Sequence, residues 1–169
     1  MIFKTLSTLF AVLVVGLNLQ QCQAQQRCPD LWIEWRDNCY RLYDCELEWT
    51  MAQAECVVAS PLGHLVSIHS VEENDFVFSL QGGANDIWIG LNDRREKGNW
   101  EWTDGTPFDF HLWQPGEPND SCGLFCDENC VEMQVTSEYA DRWNDKDCTA
   151  KRRYMCKMPA VDPPLKGGN

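Results

Sequence analysis

The chain has 169 residues, a formal net charge of -12 and ten cysteines. That length suffices for one ordinary domain with a real core, and no repeat of fixed period marks a solenoid. The acidic balance argues against a nucleic-acid partner held by phosphate neutralisation, and fits a soluble surface that tolerates or attracts cations.

Lys4 precedes an apolar run over 9–17 that is too short to span a membrane and ends near Cys22-Gln23-Ala24, a small-residue cleavage pattern. This reads as a secretory signal peptide over 1–24. No later stretch approaches the roughly 20 apolar residues of a transmembrane helix, so the mature protein is expected to be released outside the cell, with no membrane insertion. Ten cysteines in a secreted chain imply a disulfide framework. Cleavage after Ala24 removes Cys22 and leaves nine: Cys28, Cys39, Cys45, Cys56, Cys122, Cys126, Cys130, Cys148 and Cys156. An odd number points to an intermolecular bridge or to a free thiol.

The aromatic residues and cysteine spacing after Cys28 suggest a short hairpin over 32–43, closed by Cys28 with Cys39. Trp49, Ala52 and Cys56 stand at helical spacing, so one face of a first helix should pack inward. The stretch 63–68 reads as a short buried strand. Ser70-Val71-Glu72-Glu73 then opens a second helix with a capping box, with Phe76 and Leu80 on its inner face. Gln81-Gly82-Gly83 stops that helix, because two glycines cost backbone entropy and readily take positive φ. Residues 87–91 form a buried strand, and Trp100-Glu101-Trp102 a polar-aromatic turn. Val131, Met133 and Val135 alternate as a further strand, 143–148 leads into another, and 154–157 closes the domain. The tail, 159–169, is rich in proline and glycine and reads as disordered.

Between about 103 and 130 lies a long stretch with little periodicity, and a loop of that length in a compact domain is usually functional or disordered. It holds Gln114-Pro115-Gly116-Glu117-Pro118-Asn119-Asp120, in which a carboxylate and an amide sit two residues apart across a proline. Trp143-Asn144-Asp145 supplies a second amide and carboxylate from a distant segment. Such an oxygen cage suits a hard cation such as calcium. The bland reading is a pair of solvated turns. Cys122, Cys126 and Cys130 could suggest a metal cluster, but secretion favours disulfides. Asn119-Asp120-Ser121 is a formal glycosylation sequon, expected to stay unused because a glycan there would block the cage. His64, His69 and His111 show no nucleophile partner in the sequence, so no enzyme is expected. Trp88, Trp100 and Trp102 read as core or loop-core residues, and Trp113 as a loop anchor or a platform beside a ligand.

From Cys28 to about Met158 the chain resembles the long-form C-type lectin carbohydrate-recognition domain. The resemblance rests on the cysteines, the Trp88-Ile89-Gly90-Leu91 strand, Glu117-Pro118-Asn119 and Trp143-Asn144-Asp145. It implies an α+β fold over 25–158: two helices, one small antiparallel sheet joining the termini, a second loop-borne sheet and a long calcium-binding loop. It also implies the pairs Cys28 with Cys39, Cys56 with Cys156, and Cys130 with Cys148. Cys122 with Cys126, which leaves Cys45 for a bridge to a second copy, and Cys45 with Cys122 or Cys126 are all compatible with the sequence. Carried over residue by residue, the calcium ligands fall on Glu117, Asn119, Glu128, Asn144 and Asp145, with Ca2+ as cofactor. The peptide before Pro118 is cis in the family.

The order Glu-Pro-Asn resembles the mannose-type site, which suits equatorial 3- and 4-hydroxyls: mannose, glucose or N-acetylglucosamine, with fucose fitted by equivalent geometry. The resemblance thus implies a secreted lectin for glycan recognition or agglutination in innate defence. The rival readings are a protein- or ice-binding module on the same fold, or an acidic structural matrix protein. Two departures stand out. The spacer between Asn119 and Glu128 is longer than the mannose-type pattern, with Asp127 as the alternative to Glu128. The family's auxiliary calcium site would draw on Asp93, a glutamate four residues later and Asp120; Lys97 holds the glutamate's place, with Glu96 one residue before it.

Overall fold

A computed structural model describes residues 27–83, 85–121, 127–135 and 138–161. The expected signal peptide, Cys122, Cys126 and residues 162–169 of the expected tail lie outside these residues, while Pro159, read as part of that tail, ends a strand. Among them the elements run β1 (Ile33–Trp35), β2 (Asn38–Leu47), α1 (Trp49–Ala59), β3 (His64–Leu65), α2 (Val71–Leu80), β4 (Ile87–Asn92), β5 (Glu101–Trp102), β6 (Cys130–Met133), β7 (Trp143–Lys146) and β8 (Arg152–Pro159). All belong to the compact unit Cys28–Val161.

β1 and β2 form the N-terminal hairpin, and β2 then pairs antiparallel with the last strand, β8, from Asn38↔Pro159 to Leu47↔Arg152. The two ends of the domain are thereby zipped together. β4 pairs antiparallel with β6, and β6 with β7. Two separate small sheets were expected. The structure joins them into one, ordered β1-β2-β8-β4-β6-β7, because Ile87 and Trp88 pair in parallel with Arg153 and Tyr154. The joint explains the composition of β4. A central strand covered on both faces is expected to be mostly apolar; all six of its residues are buried, and the polar one, Asn92, donates its side-chain amide to Gly90 O and Glu101 O.

The first helix turns Trp49, Ala52 and Cys56 inward as their spacing predicts. In the second, the innermost stripe is Glu73, Asn74 and Val77 rather than Phe76 and Leu80, which are half-buried against the core's edge. The cause is a buried polar knot. Glu73 accepts from Tyr40 Oη and Lys157 Nζ, each at 2.6 Å, and from the His69 amide at 2.9 Å. A buried carboxylate needs such partners to offset its lost hydration. Ser70 caps the helix through the Glu73 amide at 3.2 Å, but the Glu73 side chain turns to the core instead of closing the expected box. Gly82 and Gly83 take φ of +67° and +74°, ending the helix as expected. Trp100-Glu101-Trp102 contributes a short strand, β5, and β6 is buried at every residue instead of alternating.

Among the described residues three disulfides are formed: Cys28–Cys39, Cys56–Cys156 and Cys130–Cys148. Cys45 is exposed and carries a free thiol, its Sγ 3.6 Å from Tyr154 Oη. No helix of the described residues is long and apolar enough to cross a membrane.

The buried side chains form two clusters. One gathers the disulfides around Trp32, Trp49, Trp88 and Tyr154. The other holds Ile87, Ile89, Leu91, Val131, Met133 and Trp143, with Phe108, Phe110, Leu112 and Trp113 of the long loop packed on it. The loop is therefore a built platform over the second cluster.

Candidate functional site

Trp143 sets the position of the site. It is fully buried, with the rings of Trp102, Phe110 and Trp113 at 5.7, 5.7 and 6.0 Å, and its indole N–H donates to Asn74 Oδ1 at 2.9 Å. Its backbone accepts from Gln114 N at 3.0 Å and donates to Leu112 O at 2.9 Å. The loop is thus clamped along the start of β7. Side chains alternate along a strand, so burying Trp143 brings Asn144 to the opposite side, facing Gln114.

Gln114 Nε2 lies 2.9 Å from Glu117 Oε1 and 3.2 Å from Asn144 Oδ1, and donates to both. The Glu117-Pro118 peptide is cis, and Asn119 Nδ2 donates back to Glu117 Oε1 at 2.6 Å. Asp145, buried, accepts the backbone amides of Asn119 at 3.1 Å and Asp120 at 2.8 Å, one on each carboxylate oxygen. Buried Glu128 accepts from Ser121 N at 2.8 Å and from Lys146 Nζ at 3.2 Å. Asn144 Nδ2 donates to Glu132 Oε1 at 2.9 Å, and Glu132 is held in turn by Arg152 at 2.6 Å. The structure therefore brings Glu117, Asn119, Asn144 and Asp145 together, with Glu128 alongside. Gln114, Glu132 and Lys146 complete the network. Gln114 lay in the motif stretch, but nothing in the sequence pairs Glu132 with Asn144 or Lys146 with Glu128.

The site is short of positive charge. Burial pushes the Glu117 carboxyl up to about 7, helped by the neighbouring carboxylate of Asp145 and the charge of Glu128, against the donation from Gln114. Glu117 Oε2 is buried with no hydrogen-bond donor among the described residues. An unpaired buried carboxylate oxygen amid other carboxylates and amide oxygens is the donor chemistry of a hard cation such as calcium, and in that sense the residues fit one. They are not drawn onto a single point. Among the described residues no three His, Cys, Asp or Glu side chains form a metal-holding group, and the oxygens of Asp145 and Glu128 are engaged by amides and by Lys146.

The second acidic corner is different. Lys97 Nζ forms an ion pair with Asp120 and lies 3.8 Å from Asp127 Oδ1. The Lys97 contact, followed by the Glu128 amide, holds the Asp120 carboxyl below the usual range. Asp127, exposed and facing Lys97, is turned to this corner, whereas Glu128 is buried and shares a cavity lining with Asp145.

Trp88 and Trp102 are buried as expected. Trp113 is half-buried against Trp100 at 5.1 Å, a loop anchor. His69 does meet a hydroxyl and a carboxylate: Thr106 Oγ1 at 3.1 Å and Asp109 Oδ1 at 2.8 Å. Thr106 also lies 2.6 Å from Asp104 Oδ1. A carboxylate only accepts, so the single hydroxyl proton goes to Asp104. The cluster pins the loop to the start of α2.

With this geometry in view, comparison with known proteins decides the family. The description "Lectin C-type domain" matches residues 46–158. The chain belongs to the C-type lectin domain family. A curated relative of this C-type lectin domain is the alpha-N-acetylgalactosamine-specific lectin of Patiria pectinifera, 34% identical over 164 residues, which span 89% of this chain and 95% of the relative. Among solved structures, the cow CD23 C-type carbohydrate-recognition domain, determined in the presence of a GlcNAc2Man3 oligosaccharide, is 37% identical with a TM-score of 0.71, covering 80% of this chain and 98% of that one. A calcium-independent type II antifreeze protein is 33% identical with a TM-score of 0.70, covering 79% and 95%. The C-type lectin fold thus carries lectin and antifreeze relatives at similar distances from this chain.

Proposed function

We propose that this C-type lectin domain is a secreted, calcium-dependent carbohydrate-binding protein without enzymatic activity, in which Glu117, Asn119, Glu128, Asn144 and Asp145 hold the ion. The observation that carries the reading is the convergence of two distant segments on one acidic corner. Asp145 binds the backbone of Asn119 and Asp120, Gln114 bridges Glu117 and Asn144, and Glu117 Oε2 is buried without a donor among the described residues. Calcium supplies, when bound, coordination positions at which a pair of vicinal hydroxyls can replace water. The chain's own part is selective. Glu117 and Glu128 are acceptors for sugar hydroxyls, and Asn119 and Asn144 are donors, an order that suits equatorial 3- and 4-hydroxyls as in mannose and N-acetylglucosamine, and equivalently fucose. Binding of a glycan-bearing surface in defence or agglutination follows.

One such site is weak. A monosaccharide of about 12 heavy atoms at roughly -0.3 kcal/mol per atom gives about -4 kcal/mol, or millimolar affinity. Linking sites raises avidity by roughly 10² to 10⁴. The exposed thiol of Cys45 is where a disulfide to a second copy would form. Non-reducing gels test this, with loss of a dimer band on Cys45→Ser as the expected result and a monomer in the unsubstituted protein as the refutation.

The decisive experiment is retention on mannose-agarose. Binding should vanish in chelator and return with calcium, and binding undiminished in chelator refutes the calcium bridge. The second reading, an ice- or protein-binding module, draws on the antifreeze neighbour and on the hold of Lys146 on Glu128. It predicts no retention under either condition.

A further inference from the structure

The turn over 93–99 is rigid for reasons visible in its bonds. Gly98, at φ +78°, donates to Asp93 Oδ2 at 2.7 Å, and Asp93 N donates to Asn129 O at 3.1 Å. Lys97 is thereby fixed against the far end of the long loop. Its ammonium reaches Asp120 directly, Asn129 Oδ1 at 3.4 Å and Asp127 Oδ1 at 3.8 Å.

Asp120 lies earlier in the same loop. It takes a left-handed φ of +54°, costly for a residue with a Cβ, and is held there from several sides. Its amide donates to Asp145, and its Oδ1 accepts both Lys97 and the Glu128 amide, the latter at 2.9 Å. Asp93 is 3% exposed, and its Oδ1 has no donor among the described residues. Asp93, Lys97, Trp100, Asp120, Glu128 and Asp145 line one cavity of about 170 Å3, and Lys97 is the cation among its lining residues.

Of the four carboxylates around so small a space, Glu128 is paired with Lys146 and Asp145 accepts two backbone amides, so Asp93 and Asp120 are the two that repel unless a further cation sits between them. We propose that the Lys97 ammonium is the resident cation of this outer cavity, standing where a second divalent ion would otherwise bind and holding Asp120 and Asp127 on either side of the loop without metal. A single exposed ion pair contributes only about 0 to 1 kcal/mol. Here the ammonium contacts three residues drawn from both ends of the loop, so it acts as part of a network. Being covalently attached, it is also not removed by chelation. The inference rests on the calcium reading only for the ion at Glu117 and Asp145. It makes the chain a taker of one divalent ion and leaves the outer corner latched in chelator.

Trp100 lines the cavity and can sensitise terbium emission, which allows ions to be counted in the full secreted protein. The unsubstituted protein and Lys97→Arg should each take one terbium ion. Lys97→Glu, which replaces the ammonium by a carboxylate, should take one more. Lys97→Gln, which only removes the charge, should melt earlier than the unsubstituted protein in chelator and gain more from added calcium. Two ions on the unsubstituted protein, or no additional ion on Lys97→Glu together with no larger calcium gain for Lys97→Gln, overturns the proposal. If the unsubstituted protein takes none and Lys97→Glu takes one, the Lys97 inference stands and the calcium reading at Glu117 fails.

Discussion

Asp145 Oδ2 accepts the backbone amide of Asp120 at 2.8 Å, while the other oxygen of the same carboxylate accepts the amide of Asn119 at 3.1 Å. One buried side chain of β7 thus fixes the backbone that follows Glu117-Pro118. Hydrogen bonds to a charged acceptor contribute about 1.5 to 3 kcal/mol each. Asp145→Asn keeps the shape but removes the charge and turns one acceptor into a donor. The expected outcome is faster hydrogen exchange at the amides of Asn119 and Asp120 in chelator, with loss of mannose retention. Unchanged protection of both amides refutes the role.

Glu117 and Asn119 form a mutual pair, the amide donating to the carboxylate at 2.6 Å. Exchanging their chemistry with Glu117→Gln and Asn119→Asp preserves that pair with donor and acceptor reversed. The protein should fold, bind mannose less well and shift its preference toward galactose. Competitive elution with the two sugars measures the shift, and unchanged selectivity contradicts the hydroxyl-matching argument.

Lys146 Nζ sits 3.2 Å from Glu128 Oε1, where it competes with any cation that uses this carboxylate. Two unit charges a few ångström apart near a protein surface interact by on the order of 1 to 4 kcal/mol. Lys146→Met should therefore raise calcium affinity by about tenfold or more, which calorimetry reads directly. Weaker or equal affinity means that the ammonium does not oppose the ion.

Asp104 provides the pH test, away from the proposed ion. Burial raises its pKa, but the Ser67 hydroxyl and the hydroxyl and amide of Thr106, with Lys157 nearby, outweigh burial and leave it below the ordinary value. A depressed folded-state pKa means that the unfolded chain binds the proton more readily. Its stabilisation is complete above the unfolded value of about 3.9 and is lost as the pH falls through the folded one. Acid unfolding should be less steep in Asp104→Asn than in the unsubstituted protein. Identical acid profiles refute this.

Cys56–Cys156 closes a separation of 100 residues and ties α1 to β8. Loop-closure entropy puts such a bridge at roughly 4 to 5 kcal/mol, on the scale of a whole domain's stability. Complete reduction should unfold the domain at physiological temperature, read by loss of near-ultraviolet circular dichroism, whereas a native spectrum after reduction counts against it.

Local chemistry was legible in the chain itself. Helical spacing at Trp49, Ala52 and Cys56 named the buried face of α1, the two glycines after Gln81 marked the end of α2, and an unbroken apolar run marked β4, because each is written in a few adjacent residues. The family motifs singled out Glu117, Asn119, Asn144 and Asp145, and the family resemblance implied three bridges that the structure forms. Contacts between distant segments required the tertiary structure. The parallel joint of β4 with β8 depends on strands some 65 residues apart meeting in register. Glu73 turned from a cap into a core ligand because Tyr40 and Lys157 arrive from the two ends of the domain. The resemblance set Lys97 near Asp93 and Asp120, but its ion pair with Asp120, and that of Lys146 with Glu128, needed the fold, since a charge acquires its partner only when the fold brings the two side chains together.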